Sequence, residues 1–424
     1  MRHRLSVTVA DQAADRYPRL PFEIPPGTDS FEVRLAYDRS AGVVDLGCEG
    51  PHDAYAEPWR GWSGGARESF VIERERATPG YVPGVEPGTW HVVLGLHQVA
   101  PSQGPYEPVL RKPPPLEIAV DIEVPARARL PDEPVAPVRR GPRGSSLHPP
   151  APAGLTWFAG DLHAHTTHSD GGLSFDRLAG LGVERGLDFL AVTDHNTTSH
   201  HAFLPGVGAR HDICLLPGQE VTTHRGHANA YGDLGFVDFR RPAAEWVAQV
   251  AARGGLLSVN HPLADDCAWQ HGLPLPPALE LWHISWFRDE RATAVWTLLP
   301  AWDRAVRETY GRPTVLLGGS DFHRPEDGTP LGAPVTWVAA ADRSPEALLE
   351  AMAAGRTTLT RTIDPGGPML LRLDGELWVL SGEGCVLVDL PGRRRPVHDE
   401  RLRLPEPDDV VWLESPDRRP LAIC

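Results

Sequence analysis

Features that mark several protein classes are missing from this 424-residue sequence. No apolar run approaches the roughly 20 residues that a membrane-spanning helix needs. The first 20 residues are polar and charged, without the apolar core of a signal peptide. The five cysteines are dispersed and show no Cys-x-x-Cys spacing, which indicates reduced thiols rather than metal ligands. These absences favour a cytoplasmic enzyme.

Positive charge is also scarce, because 56 acidic residues outweigh 41 lysines and arginines and give a net charge of −15. A dedicated nucleic-acid binder would show a basic face, so we expect no nucleic acid as a stable partner. A small anionic substrate remains compatible with this charge, since bound metal cations can reverse the local field. The 19 histidines are many, and nearly all the clustered ones fall between His163 and His323.

Residues 1–130 lack helical periodicity and predict an all-β sandwich domain. Short β-type runs are separated by Gly and Pro, at residues 31–36, 42–46, 68–73, 89–96 and 116–124. Trp90 is expected in the core of this domain, with an aromatic platform for a carbohydrate as the functional alternative. Residues 131–153 shift to Pro, Gly, Arg and Ser, which predicts a stiff, solvated linker.

Residues 154–365 alternate between strand and helix patterns, which predicts a parallel sheet closed as a barrel. The predicted strands include residues 155–163, 187–193, 213–216, 256–259, 279–284, 314–317 and 335–338. The predicted helices are residues 175–185, 243–253, 290–310 and 345–354, and Ser174 is placed to cap the first. Residues 366–424 return to short β-type runs and predict a small β-rich extension or an edge of the catalytic unit.

Potential metal ligands lie at the ends of these predicted strands. His163 and His165 are two positions apart on an extended segment, so their side chains point the same way. The full candidate set is His163, His165, Asp170, His195, Glu220, His227, His261, Asp321 and His323. In α/β barrels the carboxyl ends of the strands share one rim, so we expect these nine residues to converge.

The types of ligand indicate the metals. Imidazole and carboxylate without thiolate suit Zn, Mn or Fe better than Mg or Ca. Nine ligands are too many for one tetrahedral ion, so two or three divalent ions are predicted. Glu220 is the natural bridge between ions, because its two oxygens can each face a different one. Closely spaced ions would hold a bridging hydroxide that attacks phosphorus or carbon.

These motifs resemble, in order, those of the PHP (polymerase and histidinol phosphatase) superfamily over about residues 155–360. They are Asp-Leu-His-Ala-His followed by Ser-Asp-Gly, then Thr-Asp-His-Asn, Gly-Gln-Glu-Val-Thr-Thr, Gly-His-Ala-Asn, Asn-His-Pro and Gly-Ser-Asp-Phe-His. Segments 193–200 and 218–227, with a sandwich upstream, look most like its carbaryl-hydrolase-like branch. The resemblance implies a distorted (β/α)7 PHP barrel with a di- or trinuclear metal centre.

The resemblance also implies how the ligands are shared among the ions. One ion would be held by His163, His165, Glu220 and Asp321. A second would be held by Glu220, His227 and His261. A third would be held by Asp170, His195 and His323. His224 lies three residues before His227 and is an alternative to it.

Three further side chains, Asp194, Arg225 and His200, are candidates for catalytic roles. Asp194, like Asp161, precedes a ligand histidine and would either orient it or close a strand-end turn. Arg225, like Arg288, would bind a substrate phosphate or carboxylate, with a solvated surface group as the alternative. His200 is expected to have a structural role or to line the pocket.

We therefore expect a multinuclear metal-dependent hydrolase, foremost a phosphoesterase acting on small phosphate esters. Carbamate, carboxylic ester or amide hydrolysis is the alternative that the branch resemblance raises. Basic groups around the metals would favour the first reaction. An apolar cleft would favour the second, with candidate lining residues Trp269, Trp282, Trp286 and Phe287. Two other interpretations are a catalytically silent binding module and a sandwich that binds a polymer and delivers the barrel to it.

Overall fold

The computed structural model describes residues 1–52, 58–100, 114–131, 135–264, 267–283 and 294–424, with no side chains at 294–297. Contacts divide the chain into two compact units. The first contains Met1–Pro134 together with two short segments, Thr167–Asp170 and Asp194–His200. The second contains Val135–Thr166, Gly171–Thr193 and His201–Cys424. No helix in the described ranges has the length and apolarity needed to cross a membrane.

The first unit is built from two antiparallel four-stranded sheets. Its strands are β1 (Arg2–Val7), β2 (Arg19–Ile24), β3 (Ser30–Tyr37), β4 (Val43–Glu49), β5 (Trp59–Trp62), β6 (Ser69–Glu73), β7 (Gly88–Gln98) and β8 (Leu116–Glu123), with helix α1 (Val9–Ala14) after β1. The strand orders are β1-β8-β3-β6 and β2-β7-β4-β5. β1, β2 and β5 are additions to the strands predicted from the sequence.

Both sheets of the first unit contribute to one apolar core. The rings of Phe31 on β3 and Trp90 on β7 meet edge to face with their centroids 4.9 Å apart. Trp90 is fully buried and donates its indole N–H to the carbonyl of Glu86 at 2.9 Å. The prediction that Trp90 is a core residue is therefore confirmed, and the platform alternative is wrong.

The second unit combines a large mixed sheet and a small three-stranded sheet with helices. Its strands are β9 (Thr156–Asp161), β10 (Phe189–Val192), β11 (Cys214–Thr223), β12 (Gly226–Tyr231), β13 (Leu256–Val259), β14 (Ala278–Trp282), β15 (Val315–Gly318), β16 (Val335–Ala340), β17 (Thr357–Thr360), β18 (Met369–Leu373), β19 (Glu376–Leu380), β20 (Val386–Asp389), β21 (Arg394–Pro396), β22 (Arg401–Pro405), β23 (Val411–Glu414) and β24 (Pro420–Ile423). Its helices are α2 (Phe175–Glu184), α3 (Leu204–His211), α4 (Ala243–Ala252), α5 (Ala294–Tyr310) and α6 (Pro345–Ala353).

The prediction of a parallel sheet is only partly correct. The pairs β9–β10, β10–β11, β13–β14 and β14–β15 are parallel. β12 is antiparallel to both of its neighbours. A two-residue turn joins it to β11, and so short a connection can only join antiparallel strands. β16 is also antiparallel to β9.

The ends of the run from β16 through β9 to β15 approach each other. The Thr336 hydroxyl on β16 accepts from the Gly318 N–H of β15 at 2.9 Å and donates to the Gly318 carbonyl at 2.8 Å. The fold is therefore a mixed α/β arrangement, while a closed (β/α)7 barrel stays a prediction. β24 pairs with β17, so β24, β23, β20 and β21 extend this sheet, whereas β18, β19 and β22 form a separate three-stranded sheet.

Residues 135–153, the described part of the predicted linker that lies in the second unit, contact its sheet. The Ser145 N–H and hydroxyl donate to the two oxygens of Asp188 at 2.8 and 2.5 Å. A Cβ at the buried Gly144 would lie 2.4 Å from the Cβ of Ala159. Glycine at this position thus lets the segment pack closely against β9, a contact that composition alone did not predict.

Candidate metal centre

The cluster in the second unit is built where strands end side by side. A bridge pairs Ala164, just after β9, with Phe322, just after β15. The Phe322 carbonyl accepts from the His165 N–H at 2.8 Å. This pairing brings His163, His165, Asp321 and His323 together, although more than 150 residues separate the two segments.

His163 and His165 turn their Nε2 atoms toward one point. These two nitrogens are 3.1 Å apart, and each lies 3.2 Å from Oδ1 of Asp321. Both imidazoles are completely buried. The ring of His323 stacks on that of His165 with 4.2 Å between centroids. Two imidazoles and one carboxylate therefore surround a common position, and the ring of His323 lies beside them.

Glu220 of β11 lies at the middle of the cluster. Its oxygens lie 3.4 Å from Nε2 of both His163 and His165. On its other side, Oε1 lies 3.0 Å from Nδ1 of His227 and 3.5 Å from Nε2 of His261. The Asn260 amide donates to the same oxygen at 2.8 Å. Glu220 thus contacts four histidines from three different segments.

Two groups within this unit could each hold a metal ion. The donor atoms of His163, His165 and Glu220 all lie within 4.8 Å of one another. The donor atoms of His163, His261 and Asp321 satisfy the same limit. Because His163 belongs to both groups, the two positions are neighbours.

Glu280 also belongs to this cluster, although it was not among the residues predicted from the sequence. It lies in the middle of β14, where the other residues are apolar. Its Oε1 accepts from Nδ1 of His163 at 2.9 Å, and its Oε2 accepts from the His261 N–H at 2.8 Å. A carboxylate on Nδ1 fixes the imidazole so that the lone pair on Nε2 faces the cluster, as in carboxylate–histidine–metal arrangements.

The electrostatics of the cluster suit a cation. Burial works to lower the pKa of His163, but the carboxylates of Asp321, Glu280 and Glu220 raise it well above its usual value. Burial likewise works to raise the pKa of Asp321, but the facing histidines hold it well below its usual value. Buried charges need partners of opposite sign, and converging imidazole and carboxylate lone pairs provide ligands for a divalent ion. The residues therefore fit the metals that the motifs imply.

Asp161 has the role of closing a strand-end turn. Its carboxylate accepts backbone N–H groups from His163 at 3.1 Å, Ser320 at 3.0 Å and Gly332 at 2.8 Å. It thereby joins the chain after β9 to the chain after β15. The alternative, in which Asp161 orients a ligand imidazole directly, is not what these bonds do.

Asp170 and His195 lie in the two short segments that belong to the first unit. Their Oδ1 and Nε2 atoms are 3.5 Å apart. Burial raises the pKa of Asp45 on β4 to about 7, with His195 opposing that rise and Asp170 adding to it. The charges of His195 and Asp170 therefore both act on the Asp45 carboxyl, a residue that was not predicted from the sequence.

Asp194 and His200, two of the candidate catalytic residues, lie together in the first unit. Asp194 accepts from the Ser169 hydroxyl at 2.6 Å, and its other oxygen lies 3.4 Å from Nδ1 of His200. Both side chains are completely buried. Their contacts link the two short segments, and their catalytic roles stay predictions.

The remaining candidates lie at the turn between β11 and β12 or just after it. His227 contacts Glu220, whereas His224 is exposed at the turn, which favours His227 as the ligand. Arg225 is also exposed and donates to the carbonyl of Gln270 at 2.6 Å, so part of its guanidinium is already engaged. Its role in substrate binding stays a prediction, and Arg288 lies outside the described residues.

The predicted aromatic cleft receives little support from the described residues. Trp282 is buried in an apolar cluster with Leu281 and Trp302 rather than lining an open cleft. Trp269 packs against the same cluster and is only partly buried. Trp286 and Phe287 lie outside the residues that the structure describes.

No protein-family model matches the chain. It is 36% identical over 128 residues to the 5'-3' exoribonuclease Rnm of Salmonella typhimurium, a match that covers 27% of this chain and 42% of that protein. It is 34% identical over 64 residues to the phosphoribosyl 1,2-cyclic phosphate 1,2-diphosphodiesterase of Eggerthella lenta, covering 15% of this chain and 24% of that one. The chain thus spans less than half the length of these curated relatives.

One similar solved structure is a two-domain protein containing a predicted PHP-like metal-dependent phosphoesterase from Bacteroides vulgatus. The match covers 68% of this chain and 98% of that chain, with 17% identity and a TM-score of 0.41. A likeness of this size decides nothing about the barrel or the reaction. The two curated relatives are enzymes by name, which supports the prediction that this chain is an enzyme. Membership of the PHP superfamily and of its carbaryl-hydrolase-like branch stays a prediction.

Proposed function

We propose that this protein is a metal-dependent phosphoesterase that hydrolyses small phosphate esters. The observation that carries the proposal is the convergence of His163, His165 and Asp321 on Glu220, all within 3.5 Å of a neighbouring donor atom. Such a set serves as metal ligands far more readily than as a structural core, because burying these groups without a cation is costly.

The cluster has the side chains needed to hold two ions that share Glu220. His163, His165, Glu220 and Asp321 would hold one, and Glu220, His227 and His261 the other. Divalent ions bound there would polarise a phosphoryl oxygen and activate water as the nucleophile. Glu280 accepts from Nδ1 of His163 and so would keep its Nε2 available to the first ion, and the amide of Asn260 donates to Glu220.

We further propose a third ion on Asp170, His195 and His323, as the motifs imply. Zn, Mn or Fe fits the mixture of imidazole and carboxylate ligands best. The proximity of Asp170 to His195 supports their action as a pair.

Phosphate esters are preferred to carbamates for two reasons. The names of both curated relatives describe enzymes that act on RNA or on a cyclic phosphate. In addition, Trp282 is buried in an apolar cluster, so one of the residues proposed for an apolar cleft is engaged elsewhere. We propose a small ester as substrate and no stable nucleic-acid partner, in keeping with the charge of −15.

The test combines elemental analysis with assays of three substrates: p-nitrophenyl phosphate, bis(p-nitrophenyl) phosphate and naphthyl methylcarbamate. We expect two or three equivalents of metal and turnover of a phosphate ester, lost on chelation and restored by Mn or Zn. The His163→Ala variant should lose both metal and turnover. His398→Ala is the matched control, because His398 is an exposed histidine.

Two results would count against the proposal. Turnover of the carbamate alone, with metal present, would transfer the enzyme to ester and carbamate hydrolysis. Less than one equivalent of metal, with no turnover of any of the three substrates, would exclude a metal-dependent hydrolase of either kind.

A further inference from the structure

The two short segments in the first unit come from the middle of the second unit's sequence. Thr167–Asp170 follows β9, and Asp194–His200 follows β10, yet their contacts group them with the sandwich strands. Each segment carries one residue proposed for the third ion, Asp170 or His195. The contacts that hold these segments therefore bear on that ion.

The side chain of Arg67 in the sandwich binds backbone carbonyls of the first segment. One guanidinium nitrogen donates to the carbonyl of Ser169 at 3.2 Å, and the other donates to the carbonyl of Thr167. The two bonds bracket His168 and end immediately before Asp170. The planar fork of an arginine suits this paired geometry, because its donors are fixed relative to each other.

Gly80 contacts both segments at once. Its N–H donates to Nδ1 of His168 at 3.3 Å, and its carbonyl accepts from the hydroxyl of Thr197 at 2.7 Å. Its φ of +100° disfavours other residues, and a Cβ there would lie 2.7 Å from the carbonyl oxygens of His168 and Trp62. Glycine is thus required for the sandwich backbone to approach both segments.

Trp59 on β5 secures the second segment beside its proposed ligand. Its indole N–H donates to the carbonyl of Asn196, the residue after His195, at 3.0 Å. Asn196 has φ of +51°, a conformation that is uncommon for residues other than glycine and that a fixed partner helps to maintain. The ring of Trp59 stacks on Trp62 with 5.8 Å between centroids.

The two segments are also bound to each other. The Ser169 hydroxyl donates to Asp194 at 2.6 Å, and the Ser199 hydroxyl lies 2.7 Å from Nδ1 of His168. These bonds are buried, so displacing one segment would leave polar groups without partners and disturb the other segment.

We propose that the N-terminal sandwich positions two ligands of one ion, with Arg67, Gly80 and Trp59 holding the segments that carry Asp170 and His195. This inference rests on the proposed function, since it takes these two residues as ligands. It gives the sandwich a task other than delivering the enzyme to a polymer, and it makes Arg67 a positioning residue.

The test measures metal binding by the 424-residue chain. The Arg67→Ala variant should keep its fold by circular dichroism and bind one metal equivalent about 10- to 100-fold more weakly, as expected when a residue that orients a ligand is lost. High metal concentration should restore the missing equivalent. Arg74→Ala is the matched control, because Arg74 is an exposed sandwich arginine paired with the exposed Asp29.

Two further variants separate positioning from general destabilisation. Trp59→Phe keeps an aromatic ring and removes the indole donor, so it should weaken the same equivalent to a smaller extent. His195→Ala should lose that equivalent outright, and adding Arg67→Ala to it should cause no further loss of metal, because residues that act on one ion are not additive.

The outcomes distinguish this inference from the proposed function. If the wild type binds metal, and Arg67→Ala and Trp59→Phe bind the same number of ions with unchanged affinity, the positioning role is excluded and the proposed function stands. If the wild type binds no metal, both fall together.

Discussion

The core of the sandwich and the cluster around Glu220 are both buried, but the first consists of apolar side chains and the second of polar and charged ones. In the sandwich, Phe31 and Trp90 are enclosed by other apolar side chains. In the second unit, His163, His165 and Glu220 are as completely buried, although each is polar or charged. Burial of apolar surface stabilises a fold, whereas burial of charge costs free energy unless partners compensate. The first region therefore stabilises the fold, whereas the second, which we propose to be the metal centre, is kept at some expense of stability.

The strongest challenge to this comparison is the Glu220→Gln variant. Glutamine has nearly the same volume, so packing is kept, but the negative charge between the four histidines is lost. We expect phosphoesterase activity to fall more than about 100-fold, beyond the 10- to 100-fold typical of residues that only support a ligand. The measurement is kcat/KM at saturating metal, together with the metal content.

Glu383→Gln is the control for this variant, because Glu383 is an exposed glutamate of the same unit. The melting temperature of metal-free Glu220→Gln should change less than that of a core truncation. Activity within a few-fold of wild type would show that Glu220 does not bridge the ions.

The Trp90→Ala variant should lose stability and keep activity, the reverse of what we expect for Glu220→Gln. Removing a fully buried indole from the sandwich should lower the free energy of unfolding by about 3–5 kcal/mol. Activity per folded molecule, measured well below the unfolding transition, should stay close to that of wild type, because the Trp90 ring packs against Phe22 and Phe31. Chemical denaturation measures the first quantity. The half-buried Trp378→Ala should cost less, and an equal cost would contradict the comparison.

The sequence could predict the short strands of the second unit and the polar residues that follow them. Alternating strand and helix patterns placed β9, β13 and β15 within two residues of their observed ends, because each is a short apolar run before a polar turn. The expectation that strand ends share one rim also predicted that the histidines of the second unit lie together. Helix α3 (Leu204–His211) was missed because its proline and two glycines predict a loop, although proline is tolerated in a first helical turn.

Long-range features were beyond the sequence. Glu280 lies inside a strand rather than at its end, so a rule based on strand ends passed over it, and the available signal was one acid among apolar neighbours. The attachment of segments 167–170 and 194–200 to the sandwich depends on Arg67 and Gly80, whose partners lie 88 to 117 residues away, and no local periodicity encodes such contacts.

Glu280→Gln probes a residue that belongs to the chemical region without being a proposed ligand. Glutamine can replace only one of its two accepting oxygens, so either His163 or the His261 N–H loses its partner. We expect metal affinity or activity to fall about 10- to 100-fold. Metal titration of the metal-free protein measures this change against Glu383→Gln. Unchanged affinity would mean that packing alone holds His163 in position.

The smallest expected effect comes from a capping residue in the same unit as the cluster. The Ser174 hydroxyl accepts from the Arg177 N–H at the start of α2, and Ser344 serves α6 in the same way. Either serine replaced by alanine should cost about 1 kcal/mol of stability, because one N–H at the helix start loses its acceptor. Neither change should alter metal content or kcat, since these residues are not among the donors of the cluster. Denaturant unfolding beside a metal assay measures both quantities, and a loss of metal in Ser174→Ala alone would show that α2 helps to hold the cluster as well as the scaffold.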